Sequence, residues 1–193
     1  MKKLYLLGDS IRMGYEPMVR NKLSGLAEVY APEVNGQFAQ YTLRFLHEWA
    51  EKSGCANNID LVHWNNGLWD CLRLFGDECL TPLDVYAGML KRVYKRIKII
   101  FPQAKVIFAL STPIREERFT NPEWFVRYNK DIKEYNNIAT QIMKECGVAI
   151  NDLYAIAETF TVDQYADMTH FSEEGYNILA DAIVNVCEPY LKD

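Results

Sequence analysis

Apolar residues along this chain fall into two alternating kinds of run. The first kind is short and nearly continuous, bounded by turn residues, and reads as buried parallel strands. Such runs are Lys3 to Leu7, Glu28 to Ala31 closed by Pro32, Ile59 to Trp64 after the breakers Ser53-Gly54 and Asn57-Asn58, Lys105 to Leu110, and Val148 to Ile150. In the second kind, apolar positions recur at helical spacing. A helix is predicted from Ser10 to about Leu23 despite Gly14 and Pro17, and another from Phe38 to about Lys52 presenting Phe38, Tyr41, Leu43, Phe45, Leu46 and Trp49. A long helix carries Tyr86, Met89, Leu90, Val93, Ile97 and Ile100 and stops at Phe101-Pro102, where proline cannot continue it. Asn121-Pro122 predicts a helix start, an Asn cap with proline at the first helical position. That helix carries Tyr128, Ile132, Tyr135, Ile138, Ile142 and Cys146 and ends at Gly147. Ser172, followed by Glu173 and Glu174, caps the last helix, with Tyr176, Leu179, Ile183 and Val186 facing in.

Parallel neighbours need crossovers, and those crossovers are right-handed. Strands separated by helices therefore predict an α/β fold, a three-layer α/β/α sandwich around a five-stranded parallel sheet in a flavodoxin-like layout. No repeat, low-complexity stretch or linker interrupts the pattern, so residues 1–193 are expected to form one domain.

Composition narrows the partners. The chain is 49% hydrophobic and 13% aromatic, enough for a sizeable core, and its net charge of −5 argues against a nucleic-acid partner. The basic cluster Lys91, Arg92, Lys95, Arg96 and Lys98 falls on the solvated face of the long helix. The five cysteines (Cys55, Cys71, Cys79, Cys146 and Cys187) are scattered and lack a C-x-x-C pair, so neither a zinc site nor a disulfide framework is expected. Reduced thiols in a reducing compartment follow. Met1-Lys2-Lys3 before Leu4-Tyr5-Leu6-Leu7 mimics a signal peptide, but its apolar stretch is too short. A cytoplasmic address and no membrane partner are expected, since no segment has transmembrane length.

Ligands of such sheets bind beyond the carboxyl ends of the strands. At that edge stand Gly8-Asp9-Ser10, Asn35-Gly36, Asn65-Asn66-Gly67 and Ser111-Thr112-Pro113, with Asp167 and His170 in the loop after the fifth strand. Together they hold a nucleophile, a base and an orienting acid in chain order Ser…Asp…His. Ser10 alone reads better as a helix N-cap; Asp167-Met168-Thr169-His170 tips it toward a nucleophile. Asp9 is expected to hydrogen-bond within the turn.

At these residues the chain resembles the SGNH hydrolases, also called GDSL hydrolases, which carry Gly-Asp-Ser on the first strand and Asp-x-x-His before the last helix. The resemblance implies the same three-layer fold and a serine esterase or acylhydrolase with catalytic Ser10, Asp167 and His170, needing no cofactor and no metal. It also implies an oxyanion hole formed by the Ser10 N–H, the N–H of Gly36 and an Asn side chain from a Gly-x-Asn-Asp motif. Here that motif reads Gly67-Leu68-Trp69-Asp70, so Trp69 stands where Asn is expected. An indole N–H can donate, but it is bulky and weakly suited to the task. Asn65 or Asn66 can supply the amide instead, and strand parity, which puts Asn65 with His63 and Asn66 with Trp64, favours Asn65. Both asparagines also fit as turn formers before Gly67. Asn66, Trp69 and Arg115 are candidate substrate contacts, while Phe75, Arg118 and Trp124 stand nearby in loops. A small-molecule or carbohydrate ester, with a small acyl group such as acetyl, is the expected substrate. The rival expectation is a ligand- or carbohydrate-binding module on the same scaffold, without turnover.

Overall fold

The computed structural model describes residues 1–55, 58–119 and 124–192. In chain order the elements are β1 (Lys2–Leu7), α1 (Ser10–Lys22), β2 (Ala27–Tyr30), α2 (Ala39–Lys52), β3 (Leu61–Trp64), β4 (Arg73–Leu74), α3 (Leu83–Ile100), β5 (Lys105–Ala109), β6 (Phe125–Val126), α4 (Asn129–Glu145), β7 (Ala149–Asn151), α5 (Leu153–Glu158) and α6 (Glu173–Leu191). The main sheet runs β2-β1-β3-β5-β7 with every pair parallel. This is the expected α/β/α sandwich in flavodoxin-like order.

The apolar runs become strands because they are covered on both faces. In β1, Leu4, Tyr5, Leu6 and Leu7 are fully buried, with Leu4 in register with Leu61 and Leu7 with Trp64. The helices bury the faces their spacing predicts, as in α3, where Tyr86, Leu90, Val93 and Ile97 point inward. Helix α1 packs against α6, and α3 packs between α2 and α4. The first of these contacts is close: a Cβ on Gly14 would lie 2.1 Å from Tyr176 Cζ. The absent side chain leaves room for the Tyr176 ring to lie against α1 there.

Three expectations need correction. Helix α4 begins at Asn129, not at Asn121-Pro122, which lies outside the described residues. Phe125 and Val126 instead pair antiparallel with Leu74 and Arg73 in a small ribbon that local patterning did not show. The segment after β7 is also more than a loop, since Asp152 caps Ala155 N–H at 2.9 Å and opens α5, followed by a 3-10 turn over Val162–Gln164.

Candidate active site

Ser10 is the first residue of α1, immediately past the end of β1. Its expected alternative role as N-cap is filled by Asp9, whose carboxylate accepts the Ile11 N–H at 2.9 Å. The Ser10 hydroxyl is thereby released for other work, and it lies 2.9 Å from His170 Nε2. His170 Nδ1 stands 2.7 Å from Asp167 Oδ2. An ionised carboxylate can only accept, so Nδ1 carries the proton and Nε2 is left to accept the Ser10 O–H. The structure thus joins residues 160 positions apart in sequence into one Ser–His–Asp chain.

Asp167 is held from behind. Its Oδ1 accepts the N–H groups of Thr169 and His170, each at 2.7 Å. Partial burial works against ionisation, but those two N–H groups and the adjacent imidazole outweigh it and hold the carboxyl below its ordinary range. The loop itself is closed by Ala166 N–H donating to the His170 carbonyl at 2.9 Å and by a Tyr165–Phe171 bridge.

Arg115, a candidate substrate contact, props this loop. Its Nη2 donates to the Phe160 carbonyl at 2.5 Å, its guanidinium lies 4.6 Å from the Tyr165 ring centre, and its backbone N–H donates to the Met168 carbonyl at 2.8 Å. Arg118 adds bonds of 3.2 Å to the carbonyls of Val162, Tyr165 and Asp167. Sequence reasoning missed this bracing because carbonyl acceptors leave no residue signature.

The expected oxyanion donors are mostly engaged elsewhere. The Gly36 N–H donates to the Gly8 carbonyl at 2.9 Å. Asn65 Nδ2 donates to the Ala109 carbonyl at 2.8 Å and toward Ser111 Oγ at 3.4 Å. Parity sorted the residues correctly, since Trp64 Nε1 donates to Asn66 Oδ1 at 2.7 Å, but the Asn65 face is turned inward beside Ile11, Arg12 and Tyr15. Asn66 is likewise consumed, its Nδ2 donating to the Gln37 carbonyl and Thr42 Oγ1 at 2.9 and 3.0 Å. Asn65 as free oxyanion donor and Asn66 as substrate contact are therefore not what this folded state presents. The Ser10 N–H and the Trp69 indole N–H have no acceptor among the described residues, and Trp69 is only half-buried.

Burial tunes the surroundings. Asp9 is 1% exposed, and desolvation raises its carboxyl despite the Ile11 N–H and the fields of Arg127, Arg12 and His170. Asp70 accepts the Ala39 N–H at 3.1 Å and is pushed up to about 7 by burial. Burial also pushes the Cys71 thiol far up, which removes it as a second nucleophile. Among the described residues all five cysteines are free, and no group of three or more His, Cys, Asp or Glu side chains is placed to hold a metal. No helix among them is long and apolar enough to cross a membrane. A cleft of about 910 Å³ opens beside α1 and β2, lined by Arg12, Met13, Val29, Tyr30, Val34 and Trp49 among others, and none of its walls is a triad residue. Side-chain geometry, not cavity size, locates the candidate site.

No family model and no curated protein matches the chain. Solved structures do. The lipase/acylhydrolase from Enterococcus faecalis is 22% identical, covering 100% of this chain and 98% of its own with a TM-score of 0.78. A GDSL-like lipase from Bacteroides thetaiotaomicron is 18% identical over 98% and 89% of the two chains, TM-score 0.73. Axe2, an acetylxylan esterase from Geobacillus stearothermophilus, is 20% identical over 95% and 93%, TM-score 0.68. At these identities the likeness establishes the fold, which is that of the SGNH hydrolases.

Proposed function

We propose that this chain is a serine esterase or acylhydrolase acting on small acyl esters, acetyl esters of carbohydrates among them. The single observation that carries the reading is the continuous Ser10–His170–Asp167 chain at 2.9 and 2.7 Å on the edge where this fold binds ligands. The acetylxylan esterase and acylhydrolases of the same fold support the substrate class by analogy.

In this mechanism Ser10 Oγ attacks the ester carbonyl carbon while its proton passes to His170 Nε2. The carbonyl oxygen takes the developing negative charge, facing the Ser10 N–H at the start of α1 and the Trp69 indole N–H. Collapse breaks the bond to the alcohol oxygen, which leaves with the proton from His170. Water then gives its proton to His170 and attacks the Ser10 ester; as the acyl–oxygen bond breaks, Ser10 Oγ takes that proton from His170, releasing the acid and restoring the serine. Asp167 holds the Nδ1–H tautomer and stabilises the imidazolium throughout.

The commitment of Gly36 and Asn65 to internal bonds favours a second reading, a ligand-binding module that keeps the scaffold without turnover. Hydrolysis of a chromogenic acetate, and of acetylated sugars, separates the two. Turnover that vanishes in Ser10→Ala supports the esterase; ligand binding without turnover by the unaltered protein supports the module.

A further inference from the structure

Arg127 directly follows β6 and is 4% exposed. The other deeply buried arginine, Arg12, has its charge met by Glu16 at 2.5 Å. Arg127 forms no ion pair among the described residues. Its charge is met only across a distance, by the field of the buried Asp9, and a buried charge without a direct partner is costly, so its placement calls for a reason.

Its contacts supply one. Arg127 Nε donates to the Leu68 carbonyl, within the turn that the Cys71 N–H closes on the Gly67 carbonyl at 2.9 Å. The guanidinium lies 5.7 Å from the Trp69 ring centre and 4.9 Å from that of Phe125, and the two rings meet edge to face at 6.3 Å. The turn is pinned beyond Trp69 by Asp70, which holds the start of α2 through Ala39. Arg127 thus grips the segment bearing Trp69 by its backbone on one side and by its indole face on the other. Its field also reaches the nucleophile turn, where it offsets the burial of Asp9 more than Arg12 or His170 does.

We propose that Arg127 is a positioning residue for the oxyanion corner: it fixes the turn around Leu68 so that the Trp69 indole N–H serves as the donor that Asn provides in the SGNH hydrolases. This rests on the esterase reading. A planar guanidinium can stack against an indole and donate in its own plane at once, which an ammonium cannot.

The test is steady-state hydrolysis of a chromogenic acetate, with thermal unfolding, for the wild type, Trp69→Phe, Arg127→Met, Arg127→Lys and the double variant Arg127→Met/Trp69→Phe. Each Arg127 variant is expected to lower kcat by about tenfold or more with KM within about twofold, and lysine should not rescue. The double variant should be no slower than the slower single, because both changes remove one donor. Losses that multiply, full rescue by lysine, or an effect on KM alone overturn the proposal. Should the Arg127 variants fail to fold, Phe125→Ala removes one stacking partner at a partly exposed position. It should lower kcat without compounding the Trp69→Phe loss; an unchanged kcat or a compounded loss overturns the proposal. A wild-type protein that neither hydrolyses the acetate nor reacts with a fluorophosphonate overturns the esterase reading, and this assignment with it.

Discussion

The Gly36 N–H donates to the Gly8 carbonyl at 2.9 Å, tying the β2–α2 connection to the turn that delivers Ser10. A Cβ on Gly36 would lie 2.6 Å from that same oxygen. Gly36→Ala must therefore push the Gly8–Ser10 turn aside, and is expected to cost about 1–3 kcal/mol of stability together with most of the activity. Denaturant unfolding measured beside the kinetics checks it. Wild-type values in both would show that the turn does not depend on this contact.

Asn65 and Trp69 should separate cleanly. Asn65→Ala strips a buried amide from the Ala109 carbonyl, so it should cost about 1–3 kcal/mol of stability. Trp69→Phe keeps the ring and loses the N–H; it should lower kcat by about 10²-fold at nearly constant KM and leave stability almost unchanged. The reverse assignment, a kcat loss at Asn65 with none at Trp69, would return the donor role to the amide.

Asp167→Asn should reduce kcat by about 10⁴-fold, since an amide favours the wrong imidazole tautomer, while the partly exposed side chain makes little demand on the fold. The folded-state Asp167 carboxyl lies below its unfolded value, so its contribution to stability is present above the ordinary carboxylate range and lost as pH falls through the folded value. Acid unfolding should accordingly be less steep in Asp167→Asn. A near-normal kcat in this variant would break the triad argument.

Two buried groups give opposing pH slopes. Asp70 titrates at about 7 in the folded protein, above its unfolded value, so the folded state holds a proton that the unfolded chain has lost, and stability falls as pH rises toward 7. Burial lowers His63 to about 3, so the unfolded chain takes up a proton that the folded state refuses, and stability falls as pH drops below about 6.5. Between about pH 4 and 6.5 the two offset each other. Asp70→Asn removes one, and its stability should then climb with pH across that window by up to about 1.4 kcal/mol per unit. Urea titrations at several pH values check this; parallel curves for variant and wild type would contradict it.

What local patterning can reveal explains which of these features were legible. The strand–Ser10–helix junction and the Asp167–His170 spacing are short-range signals, and the structure brings their side chains together. The α4 start was misplaced because Asn-Pro is a local cue, whereas Phe125–Val126 is recruited by Arg73–Leu74, a pairing between distant segments. Helix α5 is six residues long, too short for periodicity to register, although Asp152 carried its cap signal. Parity told which residues accompany Asn65, but not which face the site uses, because that depends on where α1 and β5 lie. Arg127 was invisible for a related reason: nothing in Phe125-Val126-Arg127-Tyr128 foretells burial against Leu68 and Trp69.

The central claim is that Ser10 is an activated nucleophile, and the most direct measurement is covalent labelling with a fluorophosphonate followed by mass mapping of the modified peptide. The account predicts a single stoichiometric adduct on Ser10, formed rapidly by the wild type, abolished by Ser10→Ala and greatly slowed by His170→Ala, whose loss removes the base 2.9 Å from the hydroxyl. An unlabelled Ser10, or an adduct that forms equally fast without His170, would contradict it.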